Sequence, residues 1–375
     1  MNKIYKAAII GAAHMHSLYM SWDCRDNPQI DLVGIADTPP LMEEHPGHAP
    51  FTRKWNLEYI TKRVGVPFYA DYKKMLDECR PDFVFINTET PLHVEVFAEC
   101  AQRGIPASME KPMAVSLSEG LKMYREARRT GVELIVNWPL AWMPFMTQYK
   151  QILDEGRIGR LLKVRQLVGH PGPLGRGVRH PRVDETSDAT TPEEKAGTWW
   201  HNTAVGGGAM LDFCCYGAMS CNWLVGEKAT SVMGMRCNTT SQWADADDNA
   251  AMMVSYPNCL AVLEGSWTVP AGTCPMGPEL YGSEGLVSSV EKDGKILVKI
   301  NDYYGHEEIL PPLMPQPHLK NVTTAVVHHL DTGEPLPSFL DLDVNIEVLA
   351  ILDAGVRSAN SGQLEVIRNA AWQIG

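Results

Sequence analysis

The sequence predicts a two-domain chain of α/β class. A doubly wound parallel sheet is expected over 1–137, then an α+β domain over 138–375 built on a large open antiparallel sheet. Three observations predict it. The first third alternates short apolar runs with amphipathic stretches. From Leu161 onward β-like runs follow one another with turn signals and few helices between them. The tail over 341–361 returns to helical spacing through Val344, Val348, Ile351, Leu352 and Val356, and this last helix is expected to pack back on the first domain.

In chain order, 7–10 and 32–36 are apolar and end at Gly11 and Asp37, 82–87 and 133–137 have the same form, and a fifth strand is expected near 107–109. Helix-like segments over 72–79, 94–103 and 118–129 separate them. Strands apolar on both faces, spaced by helices, indicate a parallel sheet covered on both sides. In the second half, 251–256 and 260–268 flank Pro257-Asn258, and Asp293-Gly294 is a strong hairpin signal between two more β-like runs. Between them, 169–197 is rich in Gly, Pro and charge without periodicity. A loop of that length is uncommon unless it has a function, here closure over a substrate or reach to a neighbouring subunit.

Composition removes several classes. The 375 residues carry 33 Lys plus Arg against 45 Asp plus Glu, a formal charge of −12, which argues against a general nucleic-acid or anionic-membrane binder. No run approaches the ~20 apolar residues of a membrane span, and the N-terminal segment reads as a first strand rather than a signal peptide. Nine Cys are scattered without a Cys-x-x-Cys pair, so reduced thiols in a cytoplasmic protein are expected.

The chemistry-bearing residues sit at strand ends. Gly11-Ala12-Ala13-His14-Met15-His16 follows the first strand, where a dinucleotide fold has Gly-x-Gly-x-x-Gly; only the first Gly is present, with Ala13 and His16 in place of the others. Asp37 ends the second strand, placed to accept ribose hydroxyls and repel a 2′-phosphate, although it also suits a turn before Thr38-Pro39-Pro40. His14 and His16, at i and i+2 with no third ligand nearby in sequence, are read as cofactor contacts or helix-start residues and not as a metal site. Asn87, Thr88, Thr90, Pro91 and His93 follow the fourth strand, and Glu110-Lys111-Pro112 follows the fifth, both at the edge where ligands bind in open α/β sheets. Pro112 favours an extended Lys111, whose bland reading is a salt bridge with Glu110. In the second half, Gly206-Gly207-Gly208 opens a helix that puts Asp212 and Tyr216 on one face, four residues apart.

Together these segments resemble the glucose–fructose oxidoreductase and inositol dehydrogenase (Gfo/Idh/MocA) family, in order over nearly the whole chain. Thr90-Pro91-Leu92-His93 resembles its Thr-Pro-x-x-His, Glu110-Lys111-Pro112 its Glu-Lys-Pro, and Gly206-Gly207-Gly208 with Leu211-Asp212 its Gly-Gly-Gly-x-Leu-x-Asp. Asn137-Trp138, Trp199-Trp200-His201 and Asp248-Asn249-Ala250 also fit. The resemblance implies an N-terminal Rossmann domain that binds NAD (NADP less so), an oligomer-forming C-terminal sheet, and a sugar or cyclitol substrate. It places Lys111 beside the nicotinamide and the reacting hydroxyl, with Asp212 positioning substrate. The family commonly has His where this chain has Tyr216.

The expected activity is NAD-dependent oxidation of a secondary hydroxyl of a sugar, glycoside or cyclitol by a homodimer or homotetramer. Tyr216 removes the proton, with Lys111 lowering its otherwise high pKa; His201 or His170 is the alternative acceptor. Trp138, Trp142, Trp199, Trp200 and His201 are candidate substrate contacts. Two rivals stand beside this reading: redox-neutral chemistry with retained NAD, ending in elimination, glycoside cleavage or epimerisation, and a nucleotide-bound sensor without turnover.

Overall fold

Six short segments, most of them rich in apolar residues, pair into one parallel sheet in the computed structural model, which describes residues 3–368. They are β1 (Tyr5–Ile10), β2 (Ile30–Ala36), β3 (Phe68–Tyr69), β4 (Phe83–Ile86), β5 (Ala107–Met109) and β6 (Leu134–Val136), in the spatial order β3-β2-β1-β4-β5-β6. Helices α1 (His16–Asp26), α2 (Arg53–Tyr59), α3 (Tyr72–Cys79), α4 (His93–Gln102) and α5 (Leu117–Thr130) connect them. Residues 7–10 of β1 and all of β4 are buried on both faces, as a sheet covered on both sides requires. The order reverses between β1 and β4, and the crevice at that switch point is where such folds bind ligands.

The chain then passes through α6 (Pro144–Asp154) into a nine-stranded sheet. Its strands are β7 (Leu161–Gly169), β8 (Ser231–Cys237), β9 (Asn249–Ser255), β10 (Leu260–Ser266), β11 (Glu279–Gly282), β12 (Gly285–Lys292), β13 (Lys295–Asp302), β14 (Glu307–Ile309) and β15 (Glu365–Val366). The expected Asp293-Gly294 hairpin joins β12 to β13, both turn residues at positive φ. The sheet is antiparallel except that β7 lies parallel to β10, a pairing between strands about 90 residues apart in sequence that no local signal announces.

One face of this sheet packs under α8 (Ala209–Val225) and α10 (Leu342–Ser361). Helix α10 also reaches the first domain, where the Leu349 side chain lies against Gly120 of α5. The opposite face is open. Met233 and Met235 of β8 and Met253 of β9 point outward there, with Met233 directly opposite Met253 across the ladder. Between β7 and α8 the long connection holds the five-residue α7 (Pro192–Ala196) and two single 3-10 turns, Trp199–His201 and Thr203–Val205. Helix α9 (Val322–Thr332) precedes α10. All nine cysteines are unpaired, and no helix among the described residues is long and apolar enough to cross a membrane.

Candidate active site

Two elements far apart in sequence meet at the switch-point crevice. Gly208 sits at φ 117° before α8, and a Cβ there would come within 2.5 Å of the Asp247 carboxylate. The small residue lets Asp247 accept the Met210 N–H (2.8 Å) and fix the start of the helix. Asp212, in the first turn, then faces Lys111 at the end of β5. Lys111 Nζ donates to Asp212 Oδ1 at 2.5 Å and to its main-chain carbonyl at 3.1 Å, both groups buried. The Trp267 indole N–H donates to the other carboxylate oxygen (3.2 Å). Burial works to strip Lys111 of its proton, but Asp212, with Tyr216, Cys215 and Glu110, outweighs it and holds the ammonium well above its usual range.

Tyr216 lies one turn beyond Asp212, its ring 4.8 Å from Lys111 Nζ. The ammonium sits over the ring face, already committed to Asp212, so burial wins and pushes the phenol above its ordinary value despite Lys111. The expected lowering of the Tyr216 pKa is therefore corrected: at neutral pH the group is a phenol. His170 lines the same cavity, edge-on to Phe213 at 4.6 Å. Burial holds its pKa down, against the pull of Asp212, so it is a neutral imidazole; its Nδ1 accepts the Gly172 N–H (3.1 Å), a bond it gives up on taking a proton.

The cavity has a volume of about 400 Å³ and is bounded by Lys111, Asp212, Tyr216, His170, His180 and Trp200, among others. Of the four expected stacking aromatics only Trp200 reaches it. Trp138 is buried behind Tyr216 and donates its N–H to Asn345 (2.6 Å). Trp142 donates to Asn137 (3.0 Å) and packs on Phe339. His201 lies behind Trp267 on a different cavity, with its pKa pushed down to about 3 by burial. It is removed from the substrate contacts and from the candidate proton acceptors. A residue the sequence reading missed is Gln166 of β7, buried at the cavity wall with neither amide atom hydrogen-bonded. The signal was present: Gln166 follows Val164 on the inward side of the strand alternation, where an apolar residue belongs.

The nucleotide loop is covered. Gly11 sits at φ 98° with its missing Cβ 2.4 Å from Thr88 N, as a tight strand-to-helix turn requires. The expected contacts Asn87, Thr88, Thr90 and His93 are buried, and His93 turns its Nδ1 to the Met113 carbonyl (3.1 Å). No residue from Ala12 to His14 is more than 2% exposed. The Trp199 indole N–H donates to the Ala13 carbonyl (3.2 Å), and Asn56 donates to that of Ala12 (3.0 Å). Trp199 stacks on Trp200, which meets His14. Between Ala13, Phe51, Arg53 and the two Trp remains a void of about 20 Å³, enough for a water molecule. The loop over 169–197 is a strap across this same domain. Arg182 pairs with Asp26, Glu185 with Arg63 (2.5 Å), and His180 packs on Phe51.

Residues 38–52 include no Lys or Arg, yet Asp37 has a cation partner. Helix α2 carries Arg53 to Asp37 (2.8 Å), Glu44 (2.8 Å) and Glu89. The three carboxylates outweigh the burial of the guanidinium and hold it charged. Asp37 Oδ1 also accepts the Ala12 and Thr38 N–H groups, leaving Oδ2 for a ribose hydroxyl. The tight Gly11 turn, the strand-end carboxylate and the start of α1 fit a dinucleotide, and Trp199 and Trp200 lie over that loop.

Residues 5–138 match the family model described as the oxidoreductase family, NAD-binding Rossmann fold, and residues 146–288 match the GFO/IDH/MocA C-terminal domain. The chain belongs to this family. The rhizopine catabolism protein MocA of Rhizobium meliloti is 25% identical over 56% of this chain and 62% of its own length. D-apiose dehydrogenase of Paraburkholderia graminis is 28% identical over 42% of this chain and 38% of its own. The chain thus spans less than two thirds of the curated relatives it matches. An oxidoreductase of Agrobacterium radiobacter, solved with NAD+, L-tartaric acid and magnesium, shares the fold over 97% of this chain and 98% of its own, at 17% identity and a TM-score of 0.73.

Proposed function

We propose that this family member is an NAD-dependent oxidoreductase that oxidises a secondary hydroxyl of a small sugar, glycoside or cyclitol in the Lys111–Asp212 cavity. The observation that carries the reading is the buried ion pair at the mouth of which Tyr216 and His170 converge. Asp212 fixes Lys111 as an ammonium that donates to the substrate oxygen. Tyr216, a phenol, donates a second hydrogen bond and orients the carbon. His170, neutral, takes the hydroxyl proton. NAD, when bound, supplies the hydride acceptor. Relatives that include a D-apiose dehydrogenase support a carbohydrate substrate. The test is a panel of sugars and cyclitols with purified protein and NAD, read for both NADH and product; absence of turnover and of product across the panel would remove the reading.

The covered loop favours a second outcome, in which NAD stays bound between turnovers and returns its hydride. Product without net NADH, from protein that copurifies with nucleotide, would select it.

NAD should be preferred to NADP. Around Asp37 three carboxylates face one guanidinium, so a 2′-phosphate meets net negative charge in a buried place. Because nucleotide must displace Trp199 and Trp200, binding is read as a change in tryptophan fluorescence. NAD should produce it at concentrations at which NADP does not, and equal titration curves would refute the preference.

The open sheet face carrying Met233, Met235 and Met253 is the expected contact with a second copy, in a closed dimer or tetramer. Met235→Glu with Met253→Glu should shift the assembly toward monomer in light scattering. A wild-type monomer near 42 kDa at micromolar concentration would overturn the assignment.

A further inference from the structure

A second cluster stands beside the same cavity, which His14 and His16 line; the two histidines are among the expected cofactor contacts, but the chemistry above gives their side chains no role. β1 and β5 run parallel, one strand apart, and end at the same edge of the sheet. The β1 end supplies His14 and His16, and the β5 end supplies Glu110. Lys111 turns to Asp212, so Glu110 is left to point the other way. Its Oε1 lies 3.0 Å from His16 Nδ1 and 3.8 Å from His14 Nε2. One ligand atom from each residue falls within 4.8 Å of the others.

The four polar atoms are a problem for the apoprotein. His14 and Glu110 are each 2% exposed. His14 Nε2, His16 Nδ1 and both carboxylate oxygens of Glu110 are buried, and none has a hydrogen-bond partner. Buried polar groups are nearly always paired, and a buried carboxylate with neither oxygen bonded is among the most expensive exceptions. The imidazoles approach it at ion-pair distance without hydrogen-bond geometry. A cation set among the three would satisfy all four atoms at once.

We propose that His14, His16 and Glu110 bind a divalent transition-metal ion whose remaining positions face the cavity and take an oxygen of the bound small molecule. Two imidazoles and a carboxylate form the ligand set of open catalytic zinc sites and of two-histidine, one-carboxylate iron sites. Imidazole selects zinc, iron or cobalt over magnesium or calcium, which prefer oxygen donors. The Tyr19 ring packs against His16 at a tilt, centroids 4.7 Å apart. His14 Nδ1 accepts the His16 N–H at 3.1 Å, so loading through Nε2 exchanges that contact for a metal bond. His180, whose Nε2 is also buried without a partner, lines the same cavity. The ion would lie beside the hydroxyl held by Lys111, where it polarises the same oxygen.

The experiment uses the full chain, stripped with chelator, dialysed against excess Zn²⁺ and then against buffer, with zinc counted per chain by elemental analysis. About one ion per chain is expected, and Mg²⁺ under the same protocol should leave none. Glu110→Gln keeps the shape and His16→Asn keeps a polar side chain; each should weaken zinc retention at least tenfold. His306→Ala, which removes an exposed His–Asp pair away from the cavity, should retain it. Less than a tenth of an ion on wild type, or retention by the two variants equal to wild type, would overturn the proposal. Should both variants fail to fold, Co²⁺ added to wild type decides. Visible bands that differ in position and intensity from those of the aqueous ion, and that chelator removes, support the site; the unchanged spectrum of the aqueous ion refutes it. NAD binding, followed separately by tryptophan fluorescence, keeps failure of the metal site distinct from failure of the dehydrogenase reading.

Discussion

Lys111→Met should abolish most turnover and also weaken the fold, and the two effects separate experimentally. Lys111 supplies the only cation partner seen for the Asp212 carboxylate among the described residues, and both are buried. Removing one member of a buried pair leaves an uncompensated charge and typically costs about 3–5 kcal/mol. The Trp267 N–H on Asp212 Oδ2 softens this loss without cancelling it. The double variant Lys111→Met with Asp212→Asn removes the stranded charge and should regain much of the stability in thermal melts. It should regain no activity, because the donor to the substrate oxygen is still missing. For turnover the expected fall is about 10²–10⁴, the range of a positioned proton-handling group. NAD-induced fluorescence change should persist in both variants, since Gly11, Asp37 and Trp199 are untouched. A Lys111→Met protein that keeps near wild-type kcat would show that the pair is structural.

Much of this architecture was legible in the sequence, and the limits are physical. Apolar runs alternating with helices foretold the parallel sheet, because a strand buried on both faces has to be continuously apolar. Asp293-Gly294 foretold the β12–β13 hairpin, because few residues accept two consecutive positive φ values. The convergence of Lys111 with Asp212 and Tyr216 was implied by the family resemblance; helical spacing by itself put only Asp212 and Tyr216 on one face, and the rule for strand ends put Lys111 at the ligand edge. Side chains acting across the fold were not legible. Arg53 reaches Asp37 only because α2 turns back over the β2 end. Trp199 covers Ala13 across 186 residues of sequence. Glu110 and Lys111 are neighbours that face opposite partners, so the bland reading of a mutual salt bridge fails and a third group arrives at the two histidines. His201, expected at the substrate, instead packs edge-on against Trp267 and lines a different cavity.

The identity of the proton acceptor makes the second large prediction, and its sign follows from the surroundings of the two candidates. Burial lowers the His170 pKa below its ordinary 6.5 and raises that of Tyr216 above its ordinary 10. A His170 base is unprotonated, and active, above its depressed pKa. The rate should therefore be flat through neutrality and fall only in acid. A Tyr216 base would instead give a rate that climbs as pH rises toward and beyond 10. His170→Ala should lower kcat by about 10²–10⁴ and abolish the acid limb, while Tyr216→Phe, which removes one hydrogen bond and keeps the ring against Trp138, should cost about tenfold. Acid also threatens the fold. His93, His180 and His201 are held neutral by burial, with pKa values down at about 4, 3 and 3. Below pH 6.5 the unfolded chain takes up protons that the folded chain refuses, so stability falls as pH drops toward those values. The acid limb is therefore read from initial rates in the range where circular dichroism remains native. Each rate is also checked by returning the sample to pH 7.5. A limb that reverses fully with unchanged dichroism belongs to the chemical step. If kcat instead rises continuously into the alkaline range, and Tyr216→Phe removes that rise while His170→Ala leaves it, the proton goes to Tyr216 and the role given to His170 is wrong.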